Sequence, residues 1–461
     1  MLCRLIPHRS APSGVLSAVR GLVSLSSTRV CAPSAATRSP SVCRTKTMPP
    51  RPHIHPQVRA SSNLAKQKVH ISSCATALTV SFSDGLTSKF DSIWLRDHCR
   101  CPECFHQVTK QRLVDTFHIP ADIQISAAVL NQSGDSVELT FAGSTHKTVF
   151  QLEWLKTHSY NPTLETASHN LKRNYKLWGA EITKNLPVVE FDEVMAGDEG
   201  LAKWLKNIDV YGIAFVKGVP PNCEATEQLG RRISFIRETH YGAFWDFTAD
   251  NAHADTAYTG LALQAHTDST YFTDPIGLQL FHMTEFTGKG GKSLYVDGFK
   301  AAAQLQETYP EYYELLTQVC IPAHSAGDPK TIIAPSPRSF PILNIDPITE
   351  DLYQVRFNND DRSVIDGKTL IRINSKTGAK VDVKEFYAAL KCWVSILRDQ
   401  ENEVWIQLEP GFAVIVDNWR VLHGRSAFTG HRRICGSYHG YDDYRSRVRD
   451  LCYGSSGRLD I

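Results

Sequence analysis

The chain has 461 residues, of which 42% are hydrophobic and 10% aromatic, and its formal net charge is +2. This length and composition are typical of a globular protein with one large and one smaller domain. No apolar run approaches the roughly 18 residues of a transmembrane helix, so a membrane-spanning helix is not expected. The 12 cysteines are too few for a small disulfide-stapled scaffold in a chain of this size.

The N-terminal segment differs from the rest of the chain in its charge. Eight arginines, separated by serine, alanine and leucine, precede the first acidic residue, Asp84. Because this composition is typical of a mitochondrial transit peptide, residues 1–60 are predicted to be a transit peptide or disordered, and the protein to reside in the mitochondrial matrix. The alternative is a basic tail that binds nucleic acid or an anionic surface. Cleavage would leave a mildly acidic protein, for which neither a nucleic-acid nor a membrane partner is expected.

Short alternating runs of apolar and polar residues begin near residue 65 and continue to about residue 170. Examples are ALTVSF at 77–82 and VELTF at 137–141, each beside a turn that contains Ser, Asp or Gly. Such alternation predicts a small β-rich domain at 65–170. No internal repeat is evident in the sequence.

Three closely spaced cysteines lie inside this domain: Cys99, Cys101 and Cys104. Together with one histidine they would bind Zn2+ tetrahedrally, and a zinc site that has no open position is structural. His98, His106 and His146 are candidates for the fourth ligand. His146 is favoured because a ligand that is distant in sequence would tie two parts of the domain together. The alternative is three cysteines packed on a turn.

Residues 185–455 combine helical periodicity with short apolar strands. The spacing predicts amphipathic helices at 201–208, 229–236 and 386–397, and strands at 211–216, 277–281, 292–296 and 413–417. No glycine-rich phosphate loop joins a strand to a helix, so a Rossmann domain is not indicated. Short strands with a few flanking helices predict a mostly β domain with a β-barrel or jelly-roll core.

The tripeptide HTD at 266–268 carries the strongest chemical signal. Side chains at positions i and i+2 of a strand point to the same face, so His266 and Asp268 are predicted to bind one metal ion from one short strand. The later sequence HGR at 423–425 supplies His423 as a third ligand. Two histidines and one carboxylate that leave coordination positions open suit a non-haem Fe(II) oxygenase. The alternative is a chance tripeptide in which Asp268 only orients His266.

Several arginines follow the distal histidine of this motif. A 2-oxoacid that chelates iron through one end needs its far carboxylate held, and a planar guanidinium does this through two parallel hydrogen bonds. Arg425, Arg432 and Arg433 are candidates for this role, and their spacing does not choose among them.

Aromatic residues flank the same motifs: Tyr241, Trp245, Tyr258, Tyr271 and Tyr438. The faces of Tyr and Trp rings attract quaternary ammonium groups, and several rings around one site form an aromatic cage. Packing in an apolar core is the alternative role for these rings.

From residue 94 to about residue 443 the chain resembles the 2-oxoglutarate-dependent hydroxylases of carnitine biosynthesis, which act on trimethyllysine or γ-butyrobetaine. The matching segments are WLRDHC at 94–99, GIAFV at 212–216, RETHYG at 237–242, DTAYT at 255–259, HTD at 266–268, VDGF at 296–299 and DNWRVLHGR at 417–425. The resemblance implies a double-stranded β-helix (jelly-roll) catalytic domain after a small zinc-binding domain. It also implies Fe(II), 2-oxoglutarate as cosubstrate, a structural zinc ion and a homodimer. Ascorbate is a candidate reductant, and the sequence does not decide whether it is needed.

The same resemblance assigns roles to individual residues. The iron ligands fall on His266, Asp268 and His423, and the zinc ligands fall on Cys99, Cys101, Cys104 and His146. The site for the 2-oxoglutarate carboxylate falls on Arg432, with a hydroxyl partner at Ser293. The trimethylammonium cage falls on Tyr241, Trp245, Tyr258 and Tyr438.

The other end of the substrate decides between the two reactions of this family. Asp255 could pair with the α-ammonium group of trimethyllysine, and Asn358 with its carboxylate. The butyrobetaine enzymes look to have asparagine at the position of Asp255, and an aspartate there would repel a substrate that carries only a carboxylate. The complete cysteine set, in contrast, looks nearer to the butyrobetaine branch.

The predicted function is therefore 2-oxoglutarate- and O2-dependent hydroxylation of Nε-trimethyllysine to 3-hydroxy-Nε-trimethyllysine, the first step of carnitine biosynthesis, with release of succinate and CO2. The alternative on the same scaffold is hydroxylation of γ-butyrobetaine to carnitine. Two alternatives from other classes are a zinc hydrolase that uses the same three ligands and a catalytically silent reader of methylated lysine. The hydrolase would not require 2-oxoglutarate, and the reader would need neither the metal ligands nor Arg432.

Overall fold

The computed structural model describes residues 70–164, 175–248, 259–327, 331–336, 339–367 and 381–454. The predicted transit peptide lies outside these residues, and so do Asp255 and Tyr258. None of the described helices is long and apolar enough to cross a membrane. Strands with flanking helices make up the described chain, which confirms the predicted mostly β fold class.

The N-terminal region consists of two antiparallel three-stranded sheets, each followed by a short helix. The first unit contains β1 (His70–Cys74), β2 (Ala77–Ser81), β3 (Thr87–Asp91) and α1 (Ser92–Asp97). The second contains β4 (Ile125–Leu130), β5 (Ser136–Phe141), β6 (Lys147–Gln151) and α2 (Leu152–Thr157). Apolar side chains of both units, among them Leu78, Phe90, Leu139 and Phe150, meet in one core. Each sheet is apolar on one face, and the two apolar faces are buried against each other.

These two units form an internal repeat, so the expectation that the chain contains none is wrong. FDSIWLRDH at 90–98 corresponds to FQLEWLKTH at 150–158. In each unit the tryptophan ring stacks on the histidine four residues later, with centroids 4.3 Å apart for Trp94 and His98 and 4.0 Å apart for Trp154 and His158. The two units alternate in the same way between buried and exposed residues, but most of their strand residues differ in type. Sequence similarity alone therefore does not indicate the repeat.

Two further sheets make up the core of the larger C-terminal region. Six strands form the larger sheet in the spatial order β7 (Val188–Glu190), β8 (Ile213–Lys217), β18 (Phe412–Asp417), β11 (Leu278–Gly290), β20 (Phe428–His439) and β9 (Phe244–Thr248). Four strands form the smaller sheet in the order β10 (Leu263–His266), β19 (Val421–Arg425), β12 (Ser293–Asp297) and β17 (Val404–Ile406). Side chains of both sheets, including Met283, Tyr295, Val414 and Val421, pack between them. The described strands of this region form a two-sheet sandwich rather than a closed barrel.

Helices cover the outer faces of both sheets. The larger sheet packs against α3 (Phe191–Ala196), α4 (Asp198–Tyr211), α5 (Cys223–Ile233) and α9 (Tyr441–Val448), which is followed by a π-helical turn, Arg449–Tyr453. The smaller sheet packs against α6 (Gly298–Thr308), α7 (Pro310–Gln318) and α8 (Val383–Leu397). Two small hairpins lie between α7 and α8 in the chain: β13 (Cys320–Pro322) with β14 (Ser339–Pro341), and β15 (Leu343–Ile345) with β16 (Leu352–Val355).

The three predicted amphipathic helices are present as α4, α5 and α8, with differences at their ends. Tyr211 belongs to α4, which ends where Gly212 adopts a φ of 71°, a left-handed conformation that favours glycine. Ile236 lies beyond the end of α5. Strand β11 continues to Gly290, nine residues past the predicted end at residue 281. The prediction ended early because the second half of the strand is mostly exposed and lacks the apolar pattern.

Candidate active site

Two histidines and one aspartate meet in a cavity between the two sheets of the C-terminal region, here called the central cavity. His266 is the last residue of β10 and faces His423 across the β10–β19 pair. The Nε2 atom of His266 lies 3.2 Å from Asp268 Oδ1, and that of His423 lies 3.4 Å from Asp268 Oδ2. One divalent cation could contact all three side chains of this His2Asp cluster, because their ligand atoms lie within 4.8 Å of one another.

Asp268 reaches the cluster in a different way from the one predicted. Strand β10 ends at His266, so the two ligands do not share a strand, and Ser269 adopts a φ of 57°. The backbone of Asp268 is instead held by Asn418. The Asp268 N–H donates to Asn418 Oδ1 at 2.8 Å, and Asn418 Nδ2 donates to the Asp268 carbonyl at 3.0 Å. Asn418 is buried in the turn before β19, so it couples Asp268 to the strand that carries His423.

Neighbouring groups orient the ligand atoms of the cluster. His266 Nδ1 donates to the Gln264 carbonyl at 2.7 Å, which leaves Nε2 as the atom with a free lone pair. Gln279 Nε2 donates to Asp268 Oδ2 at 2.8 Å. Proteins use contacts of this kind to fix the orientation of metal ligands and to raise metal affinity.

The electrostatics of the cluster also fit a cation. Burial opposes ionisation of Asp268, but the two histidines outweigh it and hold the pKa of its carboxyl well below the usual range. Burial likewise opposes protonation of His266, yet Asp268 raises the pKa of this imidazole to about 9. A divalent cation bound here would compete with protons for the His266 imidazole.

Arg432 of β20 lines the same cavity and has no anionic partner in the described part of the chain. The residue is 7% exposed, and its Nε atom makes no hydrogen bond. Burial, and then the nearby Arg425, lower the pKa of Arg432 to about 10, so the guanidinium is still charged at neutral pH. A buried charge without a partner is costly, and an incoming carboxylate would offset that cost. Ser293 of β12 is also buried and lines the cavity.

The two other candidate arginines are engaged elsewhere. Arg425 lines the cavity, but its Nη2 donates to the Thr259 carbonyl, so it anchors the segment before β10. Arg433 is partly exposed and forms ion pairs with Asp246 and Glu285. Of the three arginines, Arg432 is therefore the one that is neither bonded to a backbone carbonyl nor ion-paired within the described residues.

Four of the five aromatic candidates line the central cavity: Tyr241, Trp245, Tyr271 and Tyr438. The fifth, Tyr258, lies outside the described residues. The rings of Trp245 and Tyr438 are 5.7 Å apart and inclined at 48°. Trp245 lies across Gly436, where a Cβ atom would come within 2.6 Å of the indole. Glycine at this point of β20 therefore allows the ring to take its place in the cavity wall.

Several residues of the cavity were not found from the sequence. Asn358 lines the cavity, and beside it lies a carboxylate that no sequence pattern indicates, Asp361. Asn418 and Gln279 were missed as well. No spacing rule assigns a role to an asparagine in a turn, and Gln279 is a buried polar residue within an otherwise apolar strand. Asp255 lies outside the described residues.

A second cluster, here called the Cys3His cluster, lies in the N-terminal region. His146 Nε2 lies 3.3, 3.7 and 3.4 Å from the Sγ atoms of Cys99, Cys101 and Cys104, respectively. Tetrahedral zinc, with Zn–S bonds of ~2.3 Å and a Zn–N bond of ~2.0 Å, places sulfur and nitrogen about 3.5 Å apart. The four side chains therefore fit zinc.

The other two candidates for the fourth zinc ligand are not part of the Cys3His cluster. His98 Nδ1 donates to the Trp94 carbonyl at 2.8 Å, and His106 Nδ1 accepts the backbone N–H of Thr109 at 3.0 Å. His146 Nδ1 lies 3.4 Å from the carboxylate of Glu103, the kind of partner that metal-binding histidines commonly have.

Comparisons with known proteins agree with this geometry. Residues 168–438 match the family described as taurine catabolism dioxygenase TauD, TfdA family, and residues 69–156 match the N-terminal region of gamma-butyrobetaine hydroxylase-like proteins. The trimethyllysine dioxygenase of Meyerozyma guilliermondii is 39% identical over 394 residues, which cover 83% of this chain and 96% of that protein. The mitochondrial trimethyllysine dioxygenase of Rattus norvegicus is 41% identical over 365 residues, or 79% of this chain and 83% of that protein. The gamma-butyrobetaine dioxygenase of Homo sapiens is 28% identical over 394 residues, which cover 84% of this chain and 97% of that protein.

Fold, site and family match together define the class: the protein is a non-haem Fe(II)- and 2-oxoglutarate-dependent dioxygenase. Within the TauD/TfdA family, the gamma-butyrobetaine relative is the more distant one. The chain belongs to the trimethyllysine dioxygenases of this family.

Replacing Asn418 with alanine is expected to weaken metal binding by about 10- to 100-fold, the range seen when a residue that orients a metal ligand is lost. The variant loses both hydrogen bonds to the Asp268 backbone, so the carboxylate is no longer held against the imidazoles. The measurement is the dissociation constant for Co(II), followed by its absorption bands.

Asn402→Ala is the matched control for this prediction. Asn402 is similarly buried, and its amide donates to Gln304 and to the Ile396 carbonyl, outside the central cavity. Both variants should lose stability, but only Asn418→Ala should lose Co(II) affinity. Equal Co(II) affinity in the two variants would contradict the positioning role of Asn418.

Proposed function

We propose that the protein hydroxylates Nε-trimethyllysine at C-3, with consumption of 2-oxoglutarate and O2 and release of succinate and CO2, as the first step of carnitine biosynthesis. The observation that carries the reaction type is a buried guanidinium, Arg432, which has no anionic partner among the described residues and lies in the same cavity as the His2Asp cluster. The names and the 39–41% identity of the trimethyllysine relatives support the substrate. Hydroxylation of γ-butyrobetaine is the less favoured function, because the relative of that name is 28% identical.

One set of cavity residues would bind Fe(II) and 2-oxoglutarate. Fe(II), when held by His266, Asp268 and His423, supplies activation of O2 coupled to decarboxylation of 2-oxoglutarate. Arg432 binds the far carboxylate of 2-oxoglutarate, with Ser293 as its hydroxyl partner, because a planar guanidinium matches a carboxylate through two hydrogen bonds. Binding at this fixed point orients the 2-oxo end toward the His2Asp cluster.

The aromatic residues of the cavity would bind the trimethylammonium group. Tyr241, Trp245 and Tyr438, together with Tyr258, offer ring faces that attract a quaternary ammonium ion and exclude water. At the other end of the substrate, Asn358 would bind the carboxylate and Asp255 the α-ammonium group. Two anchored ends hold one C–H bond at the reacting centre, and this positioning is the main contribution of the protein to the rate.

The protein would combine this catalytic domain, residues 185–455, with a zinc-binding domain, residues 65–170. We propose that Cys99, Cys101, Cys104 and His146 hold a structural zinc ion. We also propose a homodimer in the mitochondrial matrix that uses ascorbate as a reductant. Support for the location comes from the mammalian relatives, which are named mitochondrial, and from the arginine-rich first 60 residues.

Replacing Cys101 with serine is expected to release the bound zinc, which elemental analysis would measure as a fall from one zinc per chain. Loss of the ligand should also lower the unfolding midpoint of the N-terminal region by at least about 4–8 °C, the shift that corresponds to 1 kcal/mol in a domain of this size. Cys74→Ser is the control, because Cys74 is exposed and lies outside the Cys3His cluster. Full zinc content in Cys101→Ser would rule out the site.

The experiment that tests the function uses protein loaded with Fe(II) under anaerobic conditions. The protein receives 2-oxoglutarate, O2 and either trimethyllysine or γ-butyrobetaine, and mass spectrometry follows succinate and the hydroxylated product. The expected result is a gain of one oxygen atom on trimethyllysine, matched by succinate. Turnover of γ-butyrobetaine alone would overturn the substrate assignment, and the absence of succinate with both substrates would overturn the reaction.

A further inference from the structure

The loop after β16 brings an asparagine and an aspartate into the central cavity as a hydrogen-bonded pair. Asn358 Nδ2 donates to Asp361 Oδ2 at 3.0 Å, and Thr270 Oγ1 donates to the same oxygen at 3.0 Å. The Asn358 Oδ1 atom accepts the backbone N–H of Asp360 at 2.9 Å. Both side chains of the pair are therefore held in defined positions, and both residues are half-buried.

The same loop is fastened to the segment that carries the metal ligands. The Thr267 N–H donates to the Phe357 carbonyl at 2.7 Å, and the Phe357 N–H donates to Thr267 Oγ1 at 2.9 Å. Thr267 lies between His266 and Asp268, and Thr270 lies two residues after Asp268. The Asn358–Asp361 pair is thus attached on both sides of the Asp268 ligand and lies beside the His2Asp cluster.

The proposed function requires charged groups at this place. Hydroxylation at C-3 of trimethyllysine occurs on the carbon next to the α-carbon, which carries an ammonium group and a carboxylate. The amino-acid end must therefore lie beside the metal ligands, whereas the trimethylammonium group lies at the far end of the chain. An asparagine amide nitrogen carries two hydrogens, and a carboxylate offers about four acceptor positions, so each member of the pair retains capacity for a ligand.

We propose that Asp361 and Asn358 together recognise the α-amino acid end of the substrate, with Asp361 binding the ammonium group and Asn358 the carboxylate. This inference rests on the proposed function, and it adds Asp361 to Asp255 as a second carboxylate that binds the α-ammonium group and determines specificity. The hydrogen bond between the two side chains fixes the spacing of an anion and a donor, which matches the spacing of the two charged groups on one α-carbon. A substrate that lacks the ammonium group brings only a carboxylate to the carboxylate of Asp361, and this like-charge repulsion disfavours its binding.

The test compares two substrates in wild type and Asp361→Asn. One substrate is trimethyllysine, and the other is 6-(trimethylammonio)hexanoate, the same molecule without its α-amino group. The variant is expected to lose at least about tenfold in kcat/KM for trimethyllysine, mainly through KM, because it loses a partly buried charge pair. For the analogue kcat/KM should change by less than about twofold or increase. The KM for 2-oxoglutarate should stay the same.

Two further variants keep the inference falsifiable. Discrimination here means the ratio of kcat/KM for trimethyllysine to kcat/KM for the analogue. Asp360→Asn removes the same charge one residue away. An equal loss of discrimination in this variant would show that the effect is general electrostatic attraction, and it would overturn the inference. Thr270→Val removes only the hydroxyl that donates to Asp361, so a smaller loss of discrimination in the same direction is expected. Discrimination that survives in both Asp361→Asn and Thr270→Val overturns the inference while the function stands. Failure of the wild type to hydroxylate trimethyllysine would instead overturn the proposed function.

Discussion

Asp268→Ala is expected to abolish turnover, with a loss of more than about 100-fold, since even residues that only orient metal ligands cost 10–100-fold when they are replaced. Asp268 is the anionic member of the His2Asp cluster, and its two oxygens lie 3.2 and 3.4 Å from the imidazole nitrogens. Without it, two buried imidazoles with ring centroids 4.7 Å apart remain. Neutral imidazoles alone neither balance a buried cation nor complete the ligand set.

Two measurements separate loss of metal from loss of fold in this variant. Co(II) binding should fall together with succinate formation, whereas the far-UV circular dichroism spectrum should stay unchanged. Asp274→Ala is the control, because Asp274 is an exposed carboxylate whose partner is Arg237. That variant should keep at least half of the wild-type activity, as expected for a surface ion pair. Wild-type turnover by Asp268→Ala would remove the basis for the iron assignment.

Arg432→Met is expected to raise the KM for 2-oxoglutarate by about 30-fold or more, because loss of one partner of a buried charge pair costs about 2–5 kcal/mol. The substitution has a second, opposite effect on the ligand-free protein. It removes a buried charge that has no partner in the described part of the chain, so the unfolding midpoint of the variant should equal or exceed that of the wild type. Stabilisation by added 2-oxoglutarate should be lost.

Arg433→Met is the matched control on the same strand. Arg433 is the next residue along β20, is partly exposed and pairs with Asp246 and Glu285. Its loss should change the KM for 2-oxoglutarate by less than about twofold, because surface ion pairs contribute little. Equal effects of the two substitutions on this KM would contradict the carboxylate-binding role of Arg432.

Much of the fold follows from periodicity. Helices α4 and α8 bury one apolar stripe each, and β18 is a short apolar run, so local patterns are sufficient to locate them. The second half of β11 pairs with β20 across an exposed surface and carries no such pattern. The repeat in the N-terminal region was missed for a related reason, because burial alternates alike in both units while most residue types differ.

The candidate site shows the same division between residue chemistry and geometry. His266, Asp268 and His423 could be named from their chemistry, but the reason given for Asp268 was wrong, because β10 ends before it. Its position depends on Asn418, which is 150 residues away in sequence, and no local rule predicts such a contact. Arg432 could be separated from its neighbours only by contacts, since burial and ion pairing distinguish it from Arg433.

The two units of the N-terminal region each contribute part of the Cys3His cluster. Three of the four ligands follow α1 of the first unit, and the fourth precedes β6 of the second. At the equivalent places in the other unit, Ser159, Asn161 and Leu164 stand where the thiols are, and Leu86 stands where the imidazole is. Neither unit alone carries a complete ligand set. A metal ion bound by the Cys3His cluster would therefore cross-link the two units of the repeat.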